Sequence, residues 1–158
     1  MKRARRKPDG GPPRVVVGVA RAEDLAAVVQ LDAEATGLKK AAYWRDRLGW
    51  CAASPRDRFF LVAQRGSEKV GFVVGDVRTW EFGAPPSGWI FAINVKRSDR
   101  LQGVATLLFD AICARFRRAG VEVVRTMPSR DAQLVLSFFR SQGMMAGPFV
   151  LLEKRLDA

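Results

Sequence analysis

The chain of 158 residues has no histidine, two cysteines and one tyrosine. Without histidine there is no Ser-His or Cys-His nucleophile scheme, and the usual imidazole metal ligands are missing. Any catalysis must therefore fall to carboxylates, backbone groups or water. Cys51 and Cys113 lack the close spacing of metal or redox motifs and read as small interior residues, not as a disulfide. No apolar run reaches the roughly 18 to 20 residues needed to cross a bilayer, and the run at 15–20 is too short for a secretion-signal core. These absences predict a soluble, cytoplasmic protein with no membrane partner and no metal.

Positive charge is in surplus, at a net +11. Residues 1–13, MKRARRKPDGGPP, hold five basic residues and one acid and show no apolar periodicity, which predicts a basic, disordered tail. The rest, 14–158, keeps a surplus of +7 and is the right size for a single domain with one core. A surplus of that size suits an anionic ligand, an acidic partner or simple solubility, and charge alone does not choose among them.

Periodicity divides this domain into elements. RVVVGVA reads as a strand, and RAEDLAAVVQLDAEAT places Leu25, Val28, Val29 and Leu31 near one helical face. KKAAYWRDRLGWCAAS reads as a second helix stopped by Pro55. RFFLVAQR, the turn GSE and KVGFVVGDVRTWEF form a hairpin, and WIFAINV follows as a further strand. From Val104 the period becomes helical through Leu107, Leu108, Ala111, Ile112 and Phe116, ending near Gly120. VEVVRTM is another strand; a helix through AQLVLSFFRSQ, capped by Ser129 or Asp131, stops at Gly143; and FVLLEKRL closes the chain as a strand. The order predicts an α/β (α+β layered) architecture around one mixed sheet.

The stretch RLQGVA, residues 100–105, lies where a strand becomes a helix. A helix start carries amides with no intrahelical acceptor and the positive end of the dipole, so it attracts phosphate. Gly103 allows close approach to the backbone, Ala105 keeps the first turn free of bulk, and Arg97 or Arg100 adds charge. The stretch is neither a Walker loop nor a dinucleotide-binding turn.

Read as V-x(4)-R-x-x-G-x-A, residues Val95, Arg100, Gly103 and Ala105 resemble the acetyl-coenzyme-A loop of the GNAT acetyltransferases, and VKRSDRLQGVA resembles the loop of protein N-terminal acetyltransferases. GVARAEDLAAVVQLD resembles the opening strand and helix of the family and LSFFRSQGM its late helix, so the resemblance covers roughly 14–158. It implies a mixed sheet of about six to seven strands flanked by four helices and splayed between strands four and five. Backbone groups of Ile93, Asn94 and Val95 would pair with the pantetheine arm of acetyl-CoA, and Arg100, Leu101, Gln102, Gly103, Val104, Ala105 and Thr106 would hold the pyrophosphate.

The resemblance also marks departures. Phe139 stands at the thioester end of the cofactor site, where the family has a proton-donating tyrosine, Ala132 replaces a polar residue, and Trp89, Phe91 and Ile93 occupy strand positions where many relatives have glutamate. Transfer to an amine needs a proton acceptor, because an unperturbed lysine titrates at about 10.4 and an α-amine at about 8. Glu81, near where an acceptor would enter in the family, ranks first as base, ahead of Asp76; Ser137 and the lone Tyr43 are the remaining hydroxyls considered.

Three functional readings follow. The first is an acetyl-CoA-dependent N-acetyltransferase whose acceptor is an amine on a small molecule, peptide or protein. The second is a degenerate member that binds CoA or acyl-CoA as a regulatory or interaction module without efficient turnover. The third assigns the basic tail to nucleic acid or ribosomes, and no recognition motif supports it. The resemblance also makes the final strand's edge a surface for a homodimer.

Overall fold

The computed structural model describes residues 11 and 13–156. The basic tail expected over 1–13 falls outside them apart from Gly11 and Pro13. The chain divides into two compact units, Met1–Met127 and Pro128–Ala158.

The first unit runs β1 (Val15–Val19), α1 (Leu25–Thr36), α2 (Ala41–Ala52), β2 (Arg58–Arg65), β3 (Glu68–Arg78), β4 (Ser87–Val95), α3 (Val104–Arg118) and β5 (Val124–Thr126). The strands lie in sequence order in one sheet, antiparallel throughout except for the parallel pair β4 and β5. Local signals set the boundaries. Gly37, at φ 74°, ends α1 by donating its amide to Ala33 O at 2.8 Å, the left-handed stop that glycine permits. Ahead of α1, buried Asp24 accepts from the Arg21 amide at 2.8 Å and pairs with Lys69 of β3 at 2.8 Å, tying the helix start to the sheet.

One face of the sheet carries α1 and α2. There Val28, Leu31, Trp44 and Cys51 bury against Phe60, Val62, Phe72 and Val74. Trp44 meets the Phe72 ring edge-on at 5.0 Å and gives its indole N–H to Asp32 at 2.8 Å, while Lys40 pairs with the same carboxylate at 3.0 Å. Burial of Asp32 is thus offset by two charge-assisted contacts.

The other face carries α3, whose Val104, Leu108, Ile112 and Phe116 are fully buried, following the helical period. It sits unusually low because Gly71, Gly75 and Gly88 lie beneath it. A methyl at Gly88 would stand 2.6 Å from the Phe116 ring, and one at Gly75 would meet Ile112 and Phe116 at 3.0 Å.

The second unit contains α4 (Gln133–Ser141), which ends at Gly143, φ 82°, with the Gly143 amide on Arg140 O at 2.9 Å and the Met144 amide on Phe139 O at 3.1 Å. The residue preceding the helix is Ala132 with no side-chain cap; the Ser129 hydroxyl instead accepts from the Asp131 amide at 3.3 Å in a local turn.

The α/β class and the four helices agree with the sequence reading. The strand number does not: the sheet has five strands among the described residues, not six to seven. Residues 121–127 yield only the three-residue β5, and residues 149–156 form no strand.

Candidate active site

The opening in the sheet follows from register. β4 pairs with β3 along its length but with β5 only through Gly88, Trp89 and Ile90. At the end of the shared stretch the Thr126 hydroxyl donates to Ile90 O at 2.9 Å. Next comes a bulge: Val74 faces Ala92 and Gly75 faces Ile90, leaving Phe91 as the extra residue. The Lys96 amide donates to Val70 O at 2.8 Å on the β3 side. Because successive residues of a strand direct their backbone groups to opposite sides, Asn94 also faces β3, whereas Ile93 and Val95 face the side that β5 has left. Of the three backbone positions expected to receive a ligand, two therefore point into the opening. Asn94 turns away and uses its side chain to donate to Leu31 O at 2.8 Å.

The loop after β4 is built for a helix start. Residues Arg97–Asp99 form a single tight turn in which buried Asp99 accepts from the Ser98 hydroxyl at 2.8 Å and pairs with Arg65 at 3.3 Å. Arg100 Nε donates to Val95 O at 3.2 Å, and Gln102 Nε2 to Ser98 O at 2.9 Å. Leu101 and Gly103 take positive φ of 62° and 79°. Strain of this kind at leucine costs on the order of 1 kcal/mol, and its side chain lies fully in solvent. Gly103 precedes α3, and the helix ladder begins with the Leu107 amide on Gly103 O at 3.0 Å. The amides of Val104 and Ala105 belong to the first turn, which has no intrahelical acceptor. No atom lies within 4 Å of the position a Gly103 methyl would take, so the space over the helix start is open. An open, positive helix end beside two outward-facing strand residues fits a ligand with an extended amide arm and a phosphorylated end.

On the α1/α2 face the candidate bases separate. Glu81 lies in the exposed turn Glu81–Gly83, between Trp80 and Phe82, both at positive φ. Asp76 is half-buried on β3, facing Arg58 on one side and Trp89 on the other, with Arg78 Nε at 3.4 Å. Burial pushes its carboxyl above the ordinary value, against the pull of Arg78. Cys51 is buried nearby; burial raises its thiol to about 11 despite Arg47 and Arg58, so it is not a thiolate nucleophile. Exposed Tyr43 stacks edge-on against Trp44 at 4.9 Å. In the second unit Ser137 is exposed and Phe139 is buried, its ring 5.3 Å from Phe138.

Sequence reasoning passed over a cluster at the bulge. The Trp50 ring meets Phe91 at 6.3 Å, Arg58 and Arg47 lie over Trp50 at 4.3 and 4.7 Å, and Arg78 lies over Trp89 at 4.5 Å. Its signal was the density of tryptophan and arginine on α2 and on the strand ends, with no repeat to mark it. Among the described residues no group of three His, Cys, Asp or Glu side chains could hold a metal, and no helix is long and apolar enough to cross a membrane.

A sheet that opens between two parallel strands, beside a glycine-preceded helix start, defines the acetyltransferase class of α/β fold. The chain belongs to the acetyltransferase (GNAT) family, whose model matches residues 25–144. No curated protein matches it by sequence. Among solved structures it is similar to aminoglycoside N-acetyltransferase AAC(6')-Iy in complex with CoA, at TM-score 0.81 and 15% identity over 94% of this chain and 98% of that one. It is also similar to a ribosomal-protein-alanine N-acetyltransferase from Brucella melitensis (TM-score 0.71, 19% identity, 90% and 100% covered) and to a transcriptional regulator from Bacillus halodurans (0.76, 17%, 90% and 100%).

Proposed function

We propose that this protein is a cytoplasmic N-acetyltransferase that moves the acetyl group of acetyl-CoA to an amine by direct attack on the thioester. The observation that carries the reading is the pairing of an open helix start at Gly103–Ala105 with the outward backbone groups of Ile93 and Val95. In this reading the loop 100–106 holds the pyrophosphate and the strand edge holds the pantetheine arm. The nitrogen of the neutral amine attacks the thioester carbonyl, the C–N bond forms and the C–S bond breaks. Asp76, its carboxylate made more basic by burial, takes the amine proton, with Glu81 as the alternative base. Phe139, at the position of the family's tyrosine, has no hydroxyl, so the departing thiolate takes its proton from water. The acceptors named for the structural neighbours, an aminoglycoside and a ribosomal-protein alanine, are both amines and frame the acceptor class.

Calorimetry with acetyl-CoA, followed by a thiol-release assay over an amine panel, tests this reading. Absence of binding at millimolar acetyl-CoA refutes it. The buried phenyl ring of Phe139 favours a second reading, CoA or acyl-CoA binding without efficient turnover. That reading predicts acetyl-CoA binding with no acceptor-dependent thiol release, whereas turnover that drops in Asp76→Asn or Glu81→Gln excludes it.

A further inference from the structure

Two guanidinium groups at the bulge make no direct ion pair among the described residues; Arg58 faces Asp76 across the β2–β3 ladder and acts on it only through space. Arg58 gives one N–H to Trp50 O at 3.0 Å, and Arg47 stacks on Tyr43 at 5.7 Å as well as on Trp50. Among the described residues neither arginine has an ion pair, and Arg47 Nε is buried with no hydrogen-bond partner. Asp76, opposite Arg58 in register, makes its ion pair with Arg78 instead.

A buried donor without an acceptor costs stability, and a guanidinium stacked on an aromatic ring is held in plane for bidentate contact with an oxyanion. Both cations lie over the Trp50 ring, so its negative face is already taken and offers little to an incoming ammonium. The same ring touches Phe91, the residue at which β4 parts from β5. The cations thus stand beside the bulge at which the sheet opens.

We propose that the acceptor of this protein is an amine that also carries an anionic group, a carboxylate or a phosphate, bound by Arg47 and Arg58, and that polycationic amines are excluded. The proposal rests on the transferase reading and adds the charge class of its acceptor. An anion supplies the oxygens that Arg47 and Arg58 lack, whereas a polyamine such as an aminoglycoside brings further positive charge next to both.

The test is calorimetric titration of the full chain, with and without CoA, by four amines: β-alanine, phosphoethanolamine, ethanolamine and kanamycin. β-Alanine and phosphoethanolamine are expected to bind at least about tenfold more tightly than ethanolamine, the size of one charge-assisted bidentate contact, and kanamycin more weakly than either. The stronger of the two distinguishes carboxylate from phosphate. Arg47→Gln and Arg58→Gln should each remove the advantage while acetyl-CoA affinity stays unchanged, and Arg47→Lys should restore only part of it. Equal binding of all four amines, or an anionic preference that survives both substitutions, overturns the charge assignment. An anionic preference without any acetyl-CoA binding overturns the transferase reading alone.

Discussion

The hydroxyl of Thr126 donates to the carbonyl of Ile90 at 2.9 Å, and beyond that bond β4 and β5 share no further pairing. Thr126 works as a clasp at the apex of the opening. Thr126→Val should lower unfolding stability by about 1 kcal/mol and weaken acetyl-CoA binding, while Thr126→Ser should retain most of both. Denaturant titration and calorimetry on the two variants check this.

Gly103 holds φ 79° with empty space around it. Gly103→Ala should therefore cost about 1 kcal/mol through backbone conformation alone, seen as a lower denaturant midpoint. The added methyl would also stand over the helix start, so acetyl-CoA affinity should fall by more than stability alone explains.

Gly88→Ala is expected to be more severe, because its methyl would meet the Phe116 ring at 2.6 Å. Overpacking of this kind costs roughly 1 to 3 kcal/mol. The double variant Gly88→Ala with Phe116→Leu should lose less than the sum of the single changes, since leucine clears the site. Additive losses in a double-mutant cycle would contradict this packing account.

Asp76 gives a dependence on pH with a defined sign. A carboxyl raised in the folded state binds its proton more tightly there, so its contribution to stability falls as pH rises from the ordinary carboxylate value through the raised one, then stays low. The stability of Asp76→Asn minus that of the wild type should therefore grow across that window and flatten above it. In kinetics, the acidic limb of kcat/KM, to which titration of the acceptor amine also contributes, should be less steep in Asp76→Asn than in the wild type. An unchanged profile in Asp76→Asn combined with a less steep limb in Glu81→Gln would move the role of base to Glu81.

Helices and the hairpin were legible because their signals are local. Apolar positions recur at 3.6 residues from Val104 to Phe116, and Gly37, Gly66 and Gly143 punctuate with positive φ. The strands at the far end were less legible because a strand exists only where a partner pairs with it. Residues 121–127 have a strand-like composition, yet only Val124–Thr126 pair with β4 as a strand. FVLLEKRL has the same character, yet Phe149 to Leu152 are exposed and lie in no strand among the described residues. The turn into α3 could be read because Gly103 there serves backbone geometry. The bulge at Phe91 could not, since an extra residue in a ladder becomes visible only when the register of both strands is known. The turning away of Asn94 follows from that same register.

The glycines beneath α3 carry one further consequence. With Leu108, Ile112 and Phe116 resting directly on the backbone at Gly71, Gly75 and Gly88, the helix has little room to shift against β3 and β4 and serves as a rigid jaw. Adjustment to molecules of different girth must then come from the opposite jaw, where the Trp80–Phe82 turn projects into solvent and Trp50 meets the bulge edge-on. On the proposed transferase reading, one ligand end is held invariantly and selectivity is retuned by substitutions on α2 and that turn.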